Sequence, residues 1–379
     1  MNRSTILITV VLVALLLSCQ DMALVYYNQG IDAMEAGDGE AAVRNFEKSL
    51  EHRPDDPDTH MNLGVAYYAI GKYQNALKEF KIALESYPSD PALHFNLGET
   101  HAAMGSHQSA VREYELAIRL DPDFYQAMTA LGQTLLETGD YDNAEQQLVS
   151  AITIKPSYEP AYIYLGWVYA KTGKIHQATY YLYRGLKSDP NSIPGHLGLG
   201  MTFYKKQLYD DALAEYEKVL FKEPDNPDAL LGVGECYTAM GKTEKAEESL
   251  ARALELRPDF PEVYKAYGDF YADQKQYPAA VASYRMAIQQ DEEFTEAYIN
   301  LGRVLAASEQ FEEAERVFHT ALENTPEDPW LLYHAGQLYR IMDNHETARE
   351  YFAKASERST ENEQLQALIR DAIDALPAQ

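Results

Sequence analysis

Large apolar residues recur along this chain at a constant interval of thirty-four positions. Leucine holds one recurring position in six repeats, and an aromatic residue or leucine holds a second position in all ten: Leu63, Leu97, Leu131, Leu165, Leu199 and Leu301, and Phe46, Phe80, Tyr114, Leu148, Leu182, Tyr216, Leu250, Tyr284, Phe318 and Phe352. Self-similarity at a fixed period of this length is the signature of a solenoid of stacked repeats. The pattern therefore predicts a repeat protein in which both series fill the interface within each repeat.

Small residues follow the same period and predict two helices per repeat. The glycines are Gly30, Gly64, Gly98, Gly132, Gly166, Gly200, Gly234, Gly268, Gly302 and Gly336, and the alanines are Ala42, Ala76, Ala110, Ala144, Ala178, Ala212, Ala246, Ala280, Ala314 and Ala348. A glycine inside a helix costs roughly 1 kcal/mol relative to alanine, so its repetition indicates a structural requirement. We expect the helices to cross so closely that only a hydrogen fits at the glycine and only a methyl at the facing alanine.

The ends of the predicted helices are marked by caps, prolines and glycines. A capping side chain precedes proline at Asp56-Pro57, Asp90-Pro91, Asn226-Pro227 and Asp328-Pro329, which predicts helix starts. Eight second helices end before proline, and Glu292 replaces it in the eighth repeat. Six repeats carry a turn glycine that can take positive φ, whereas Gln207, Lys275, Glu309 and Asp343 hold that position in the others. We expect different hairpin turns in those four repeats.

These landmarks resemble the tetratricopeptide repeat family, and one repeat shows them at Tyr162, Leu165, Gly166, Tyr169, Ala178, Leu182 and Pro190. The resemblance implies an all-α fold, a right-handed superhelical solenoid of ten 34-residue helix-turn-helix repeats plus a C-terminal capping helix. The predicted repeats are 23–56, 57–90, 91–124, 125–158, 159–192, 193–226, 227–260, 261–294, 295–328 and 329–362. Residues 363–379 place Leu365, Leu368, Ile369, Ala372, Ile373 and Leu376 on one face of the capping helix.

The first residues predict export and lipidation. Arg3 precedes an apolar run from Ile6 to Leu17, which is shorter than the about twenty residues of a membrane-spanning helix but suits a signal peptide. Leu16, Leu17, Ser18 and Cys19 resemble the bacterial lipobox, which implies a signal peptide at 1–18, a lipid on Cys19 and a short tether at 19–22. Gln20 favours the periplasmic face of the outer membrane. A cleaved signal with an incidental cysteine is the alternative.

Charge and residue types restrict the possible functions. The net charge of -27 comes from 59 acidic and 32 basic residues, which disfavours nucleic acid as a partner. Cys236 is predicted to be a small buried residue. His94 and His101 share a helix face without a carboxylate or cysteine at ligand spacing. Eighteen residues precede Cys19 and seventeen follow Asn362, so we expect no separate catalytic domain, no metal, no cofactor and no enzymatic activity.

The family resemblance implies that the first helices of successive repeats line a concave groove. Asn28, Asn62 and Asn96 stand two residues before the glycine, with a fourth at Asn300. They resemble the asparagine ladder of O-linked N-acetylglucosamine transferase repeats, in which side-chain amides hold an extended peptide. An amide suits this role because it both donates and accepts hydrogen bonds. Asparagine is also common here in repeats without a ligand, so ligand binding and a scaffold role remain open.

Apolar residues occupy the groove positions of the middle repeats: Ile163, Tyr164, Trp167, Leu197, Met201, Tyr204 and Leu231. Full burial of one such side chain is worth about 1.5–3 kcal/mol, which favours coverage by a partner helix or peptide or, alternatively, packing on the adjacent repeat. On the opposite face, Tyr180, Tyr181 and Tyr183 predict a second contact or self-association. The last repeats carry Lys265, Asp269, Asp273, Arg303, Tyr333 and Gln337, which predict a solvated polar groove.

The sequence thus predicts a non-enzymatic, lipid-anchored scaffold of the bacterial cell envelope that binds a partner peptide or helix in its concave groove. Such a protein would serve the assembly of envelope, secretion or pilus complexes. An oligomeric component of a secretion or transport machine is an alternative. A carbohydrate-binding or glycosyltransferase-associated module is a second alternative, suggested by the asparagines and the groove aromatics.

Overall fold

The structure, a computed structural model, describes residues 22–359 and 362–377. The predicted signal peptide and the predicted lipidation site Cys19 lie outside the described residues. None of the helices in the described part of the chain is both long and apolar enough to cross a bilayer.

The described residues form helices joined by turns and short connections, without strands. Helix α1 spans residues 22–35. It is followed by α2 Gly39–His52, α3 Pro57–Ala69, α4 Tyr73–Ser86, α5 Pro91–Ala103, α6 His107–Leu120, α7 Tyr125–Glu137, α8 Tyr141–Ile154, α9 Glu159–Lys171, α10 Ile175–Ser188 and α11 Ile193–Lys205. The chain continues with α12 Tyr209–Lys222, α13 Pro227–Ala239, α14 Thr243–Leu256, α15 Pro261–Asp273, α16 Tyr277–Gln290, α17 Thr295–Ala307, α18 Phe311–Asn324, α19 Pro329–Ile341, α20 His345–Arg358 and α21 Glu363–Asp374.

Consecutive helices pair as the repeat pattern predicts, so the all-helical repeat fold is confirmed. Each odd-numbered helix up to α19 carries the repeated glycine, and the next helix carries the repeated alanine. The chain divides into two compact bodies with a boundary between Gly195 and His196. We refer to them as the N-terminal body and the C-terminal body.

The repeated glycine lies under the large side chain of the second helix. A β-carbon placed on any of the ten glycines would lie 2.3–2.7 Å from the nearest atom of that side chain. At Gly98, for example, it would lie 2.5 Å from Cε1 of Tyr114. Real β-carbons do not approach other atoms this closely, so only glycine accommodates the ring or the leucine branch.

This contact corrects one expectation from the sequence. The glycine was expected to face the repeated alanine across the helix crossing, whereas it faces the large apolar residue. The alanines are fully buried at 0% exposure, and they belong to the same hydrophobic core, for example Ala76 beside Phe80 and Leu63. The large side chain therefore requires the glycine, because the ring needs the space that a methyl group would take.

The predicted helix caps are confirmed at all four positions. The side chain of Asp56 accepts a hydrogen bond from the backbone N–H of Thr59, and Asp90 accepts from Ala92 and Leu93. Asn226 and Asp328 accept from Ala229 and Leu331 in the same way. Each bond satisfies a backbone donor that has no partner inside the helix.

The expectation of different turns in four repeats is wrong. Gln207, Lys275, Glu309 and Asp343 adopt φ values of 57–62°, close to the 68–80° of the six turn glycines. The hydrogen bond from Leu208 N–H to the Phe203 carbonyl repeats the one from Lys72 N–H to the Tyr67 carbonyl. Side chains in this left-handed conformation cost roughly 1–2 kcal/mol, so the closing hydrogen bonds and helix packing impose one turn on all ten repeats.

The last helix covers the end of the array. Leu365, Ile369, Ala372 and Leu376 are buried and share a core with Phe352 of α20. Gln366 reinforces the contact, because its side-chain amide donates to the Ser356 carbonyl of α20 at 2.6 Å. Leu368 and Ile373 differ from the predicted buried face, since they are 37% and 36% exposed. The packing agrees with the capping role that the apolar pattern predicts.

We predict opposite effects for Gly98→Ala in two backgrounds. In the natural chain the added methyl clashes with Tyr114 and destabilises the third repeat by about 1–3 kcal/mol. In a Tyr114→Ala background the clash is absent, and alanine becomes favourable by up to about 1 kcal/mol through its helix propensity. The measurement is the opening free energy of α5 and α6 by hydrogen exchange and mass spectrometry. Equal effects in both backgrounds would contradict the steric explanation.

Candidate functional site

The predicted asparagine ladder lies in the N-terminal body, where Asn28 is exposed and Asn62 and Asn96 are half-buried. The side-chain amide of Asn62 donates to the Tyr27 hydroxyl at 3.0 Å and to the Asp58 carbonyl at 2.9 Å. Asn300, in the C-terminal body, donates to Asp269 at 2.9 Å. Asn62 and Asn300 thus link neighbouring first helices, which is a scaffold role. The Asn300 side-chain oxygen also accepts a hydrogen bond from Arg303.

Three predicted groove residues lie on α9 in the N-terminal body. Ile163 is 1% exposed, and its Cδ1 lies so close to Gly185 and Gly195 that neither tolerates a β-carbon. Its burial is therefore explained by packing within the fold. Tyr164 and Trp167 are half-buried, and the Trp167 indole N–H donates to the Pro194 carbonyl at 2.8 Å. Only Tyr164 and Trp167 of this group present surface to a ligand.

Four predicted groove residues lie in the C-terminal body. Leu197, Met201, Tyr204 and Leu231 are all half-buried. Leu231 packs against the cores that contain Leu250 and Val263, as expected if it serves adjacent-repeat packing. Tyr204 instead borders a cleft.

The first cleft of the C-terminal body opens between the first helices of successive repeats. It has a volume of about 520 Å³ and is lined by Tyr204, Thr238, Ala239, Asp269, Ala272, Asp273, Tyr277, Tyr284, Asn300, Arg303, Val304 and Ala307. Helices α11, α13, α15 and α17 each contribute to it, together with α16. The cleft therefore lies on the surface that the family resemblance assigned to ligand binding.

In this first cleft, the Asp269 carboxylate contacts three polar side chains. Its carboxylate lies 2.9 Å from the Lys265 ammonium and accepts hydrogen bonds from Tyr284 at 2.6 Å and Asn300 at 2.9 Å. Burial lowers the pKa of Lys265, but the Asp269 and Glu235 carboxylates outweigh burial and hold its pKa above the usual value. Lys265 is only 18% exposed, so the prediction of a fully solvated polar groove is wrong at this position.

A second cleft of the C-terminal body lies over α17, α18 and α19. Its volume is about 590 Å³, and it is lined by Gly302, Arg303, Ala306, Ala307, Phe318, Tyr333, His334, Gln337, Leu338, Arg340 and Ile341. Burial and the charge of Arg303 lower the pKa of His334 to about 4, so its imidazole is neutral at pH 7. Arg303 belongs to both clefts, which places them side by side along the first helices.

The predicted tyrosine contact on α10 is partly accessible. Tyr180 and Tyr183 are 54% and 51% exposed. Tyr181 is half-buried and packs against Tyr169, with 5.3 Å between the ring centroids. Arg184 lies over the Tyr162 ring and donates a hydrogen bond to the Tyr180 hydroxyl. Tyr180 and Tyr183 keep the surface that a second contact would use, and Tyr181 contributes to the fold.

Comparison with known proteins decides the family. Profiles of the tetratricopeptide repeat match residues 27–91 and 95–160 and residues 203–269, 271–329 and 305–372, which together exceed half of the chain. The chain belongs to the tetratricopeptide repeat family. Proteins of this family generally act as scaffolds for protein interactions, and this tetratricopeptide repeat protein shares their architecture. No curated protein sequence matches it significantly.

Two solved structures that match most of this chain share its fold. Yeast Tom70 is 15% identical over 92% of this chain and 95% of its own, with a TM-score of 0.52. IFIT1 with m7Gppp-AAAA is 18% identical over 88% of this chain and 80% of its own, with a TM-score of 0.56. MamA is 25% identical over 45% of this chain and 93% of its own, with a TM-score of 0.40. The similarity to Tom70 and to IFIT1 concerns the fold alone.

Three buried histidines of the tetratricopeptide repeat array pair with glutamates, of which Glu79 and Glu215 are buried and Glu113 is half-buried. Nδ1 of His60 lies 2.6 Å from a Glu79 oxygen, and the same contact joins His94 to Glu113 at 2.8 Å and His196 to Glu215 at 2.6 Å. Nε2 of His60 lies 2.8 Å from the Pro54 carbonyl oxygen, which only accepts, so this nitrogen carries a proton. Both ring nitrogens of His60 therefore have polar partners inside the fold.

The glutamates were missed in the sequence, although a signal for them exists. His60, His94 and His196 occupy the same position in the first helix of their repeats. Nineteen residues after this position, the chain has glutamate only in the repeats that carry histidine there. In the other repeats tyrosine, leucine or methionine precedes a different residue: Asn45, Gln147, Tyr181, Ser249, Ser283, Val317 or Tyr351. Comparison of the repeats with one another would have revealed these pairs.

Cys236 is buried, as predicted, and burial followed by the nearby Glu235 raises its pKa to about 12. Across residues 22–359 and 362–377, no group of three or more histidine, cysteine, aspartate or glutamate side chains could hold a metal ion. The first and second clefts, of about 520 and 590 Å³, are the candidate ligand sites of the C-terminal body.

We predict that Glu79→Ser destabilises the second repeat by about 1–3 kcal/mol, because buried Nδ1 of His60 loses its partner. The double variant His60→Tyr/Glu79→Ser reproduces the natural combination of Tyr264 and Ser283 and should recover most of the loss. Hydrogen exchange of α3 and α4 measures the effect. Glu85→Ser, on an exposed position of the same helix, is the control and should change stability by less than about 0.5 kcal/mol. A Glu79→Ser variant as stable as this control would contradict the pairing.

Proposed function

We propose that this tetratricopeptide repeat protein is a non-enzymatic scaffold, anchored to a bacterial membrane by a lipid, that binds a partner peptide or helix on its first helices. The observation that carries the proposal is the first cleft. Four successive first helices border an open volume of about 520 Å³ there, so intramolecular packing leaves this surface available. A partner segment would run across several repeats and contact one or two side chains of each.

Apolar side chains on the first helices of each body also support the proposed peptide binding. Tyr164 and Trp167 in the N-terminal body and Leu197 and Met201 in the C-terminal body are large yet only half-buried. Completing the burial of such a side chain contributes up to about 1.5–3 kcal/mol. Aromatic anchors also dominate binding energy at protein interfaces. A partner with apolar side chains at intervals along an extended or helical segment fits this arrangement.

The membrane anchor rests on the sequence. The lipobox-like segment ends at Cys19, and helix α1 begins at residue 22, so the connection spans roughly 10 Å even when extended. Several acyl chains hold a protein durably at a membrane, whereas one chain holds it marginally. The first repeat would then lie close to the lipid headgroups, at the periplasmic face of the outer membrane.

We expect the protein, expressed in a Gram-negative host, to incorporate an alkyne-labelled fatty acid and to enter the detergent phase of a Triton X-114 extract. Cys19→Ala should lose both properties, because it removes the acylated thiol. Cys236→Ala is the matched control and should keep both, since that thiol is buried. Unchanged labelling of Cys19→Ala would exclude the proposed anchor.

Peptide binding can be tested with a library of random twelve-residue peptides displayed against the folded protein. We expect selected peptides to bind with about tenfold lower affinity to Tyr164→Ala/Trp167→Ala or to Leu197→Ala/Met201→Ala, measured by fluorescence anisotropy, because an anchor is worth about 1.4 kcal/mol or more. Tyr180→Ala/Tyr183→Ala removes exposed aromatic rings from a second helix and should leave the affinity unchanged. An absence of selected peptides, or equal binding to all variants, would overturn the proposal.

A further inference from the structure

The second cleft carries positive charge in a strongly acidic chain. None of its eleven lining residues is aspartate or glutamate, while Arg303 and Arg340 both line it. The chain as a whole has 59 acidic and 32 basic residues, so a carboxylate partner for each arginine would be easy to supply. A cleft of this composition attracts an anionic group from outside the chain.

The two arginines of the second cleft are positioned without being neutralised. Nη1 of Arg303 donates to the Asn300 side-chain oxygen at 3.3 Å, and Nε of Arg340 donates to Gln337 at 2.8 Å. Within the described residues neither guanidinium has a carboxylate within ion-pair distance. By contrast, Arg358 of the same body pairs with Glu327 at 2.8 Å. Amide oxygens orient the two guanidinium groups and leave their charge available for bidentate contact with a carboxylate.

The second cleft also has an apolar wall. Phe318, Leu338 and Ile341 line it, and Ile341 is 53% exposed. The neighbouring His334 is neutral at pH 7, because burial and Arg303 lower its pKa to about 4. An acidic side chain beside an aliphatic one would therefore meet both features of the cleft.

The first cleft carries a negative charge on α15, the first helix of the repeat before the one that carries Arg303. Asp273 lines this cleft one turn beyond Asp269, and its carboxylate makes no hydrogen bond or ion pair with any described residue. Burial and the charge of Asp269 raise the pKa of Asp273, and no cation of the described residues lies within ion-pair distance of its carboxylate. Asp269 itself is already occupied by Lys265, Tyr284 and Asn300. Asp273 is thus the acidic group that a ligand cation would reach.

We infer that the surface over α15, α17 and α19 binds a peptide segment with two opposite charges: a lysine or arginine at Asp273, and an aspartate or glutamate next to an aliphatic residue at Arg303 and Arg340. This inference rests on the proposed function and specifies its partner. Adjacent packed helices lie about 8–10 Å apart, and extended chain advances about 3.3 Å per residue. The two peptide charges are therefore separated by about three to six positions.

The peptide library described above tests this inference. Peptides that bind the C-terminal body should carry a basic residue and, about three to six positions away, an acidic residue next to an aliphatic one. For synthetic peptides with capped ends, replacing the acidic residue by glutamine should weaken binding to the natural protein about tenfold. The same replacement should have no effect on Arg303→Gln/Arg340→Gln, because the partner charges are already gone. Replacing the basic residue should likewise lose its effect in Asp273→Asn.

Matched variants separate this result from a change in total charge or in folding. Arg316→Gln/Arg370→Gln and Asp210→Asn alter the same charges at exposed positions away from both clefts and should bind like the natural protein. Thermal unfolding checks that each variant is folded. Equal binding of charged and neutralised peptides would overturn the inference, and so would a loss in the control variants as large as in Arg303→Gln/Arg340→Gln. If selected peptides depend only on the apolar anchors, this inference fails and the proposed function stands; if no peptide binds, both fail.

Discussion

The seating of a large side chain on a helical glycine is the contact on which this array depends. It occurs in all ten repeats, with phenylalanine, tyrosine or leucine over the glycine. The glycine lets the second helix approach the first, and that approach buries the repeated alanines completely. Because every repeat closes in the same way, the remaining faces of the first helices occur in a constant register. The clefts of the C-terminal body are bordered by side chains in that register.

Much of the fold could be predicted from the sequence, because helix pairing, capping and periodicity depend on residues close together along the chain. The partner of the glycine could not, since spacing along two helices does not reveal which side chains meet where they cross. Turn conformation was also beyond prediction in four repeats. At Glu309, for instance, the residue type disfavours positive φ, but the hydrogen bonds that close the hairpin impose it.

The register predicts which side chains lie on the first helices but not what each of them contacts. Tyr204, assigned to the groove, borders a cleft, whereas Ile163, assigned in the same way, fills the space beside two glycines. The polar residues of the last repeats looked uniformly solvated in sequence. Their actual states differ because the partners come from neighbouring helices: Lys265 is held between Asp269 and Glu235, while Arg303 is left with an amide oxygen.

The histidine–glutamate pairs bear on how such an array can change over generations. Each pair joins the two helices of one hairpin. The histidine and the glutamate therefore stabilise a repeat only when both are present in it. A duplication or deletion whose endpoints fall between hairpins preserves every pair. One that joins the first helix of a histidine-containing hairpin to the second helix of a hairpin without the glutamate would place a buried imidazole opposite a residue such as serine, valine or tyrosine. The smallest exchangeable module of this protein is therefore the complete hairpin, even though its individual helices look interchangeable.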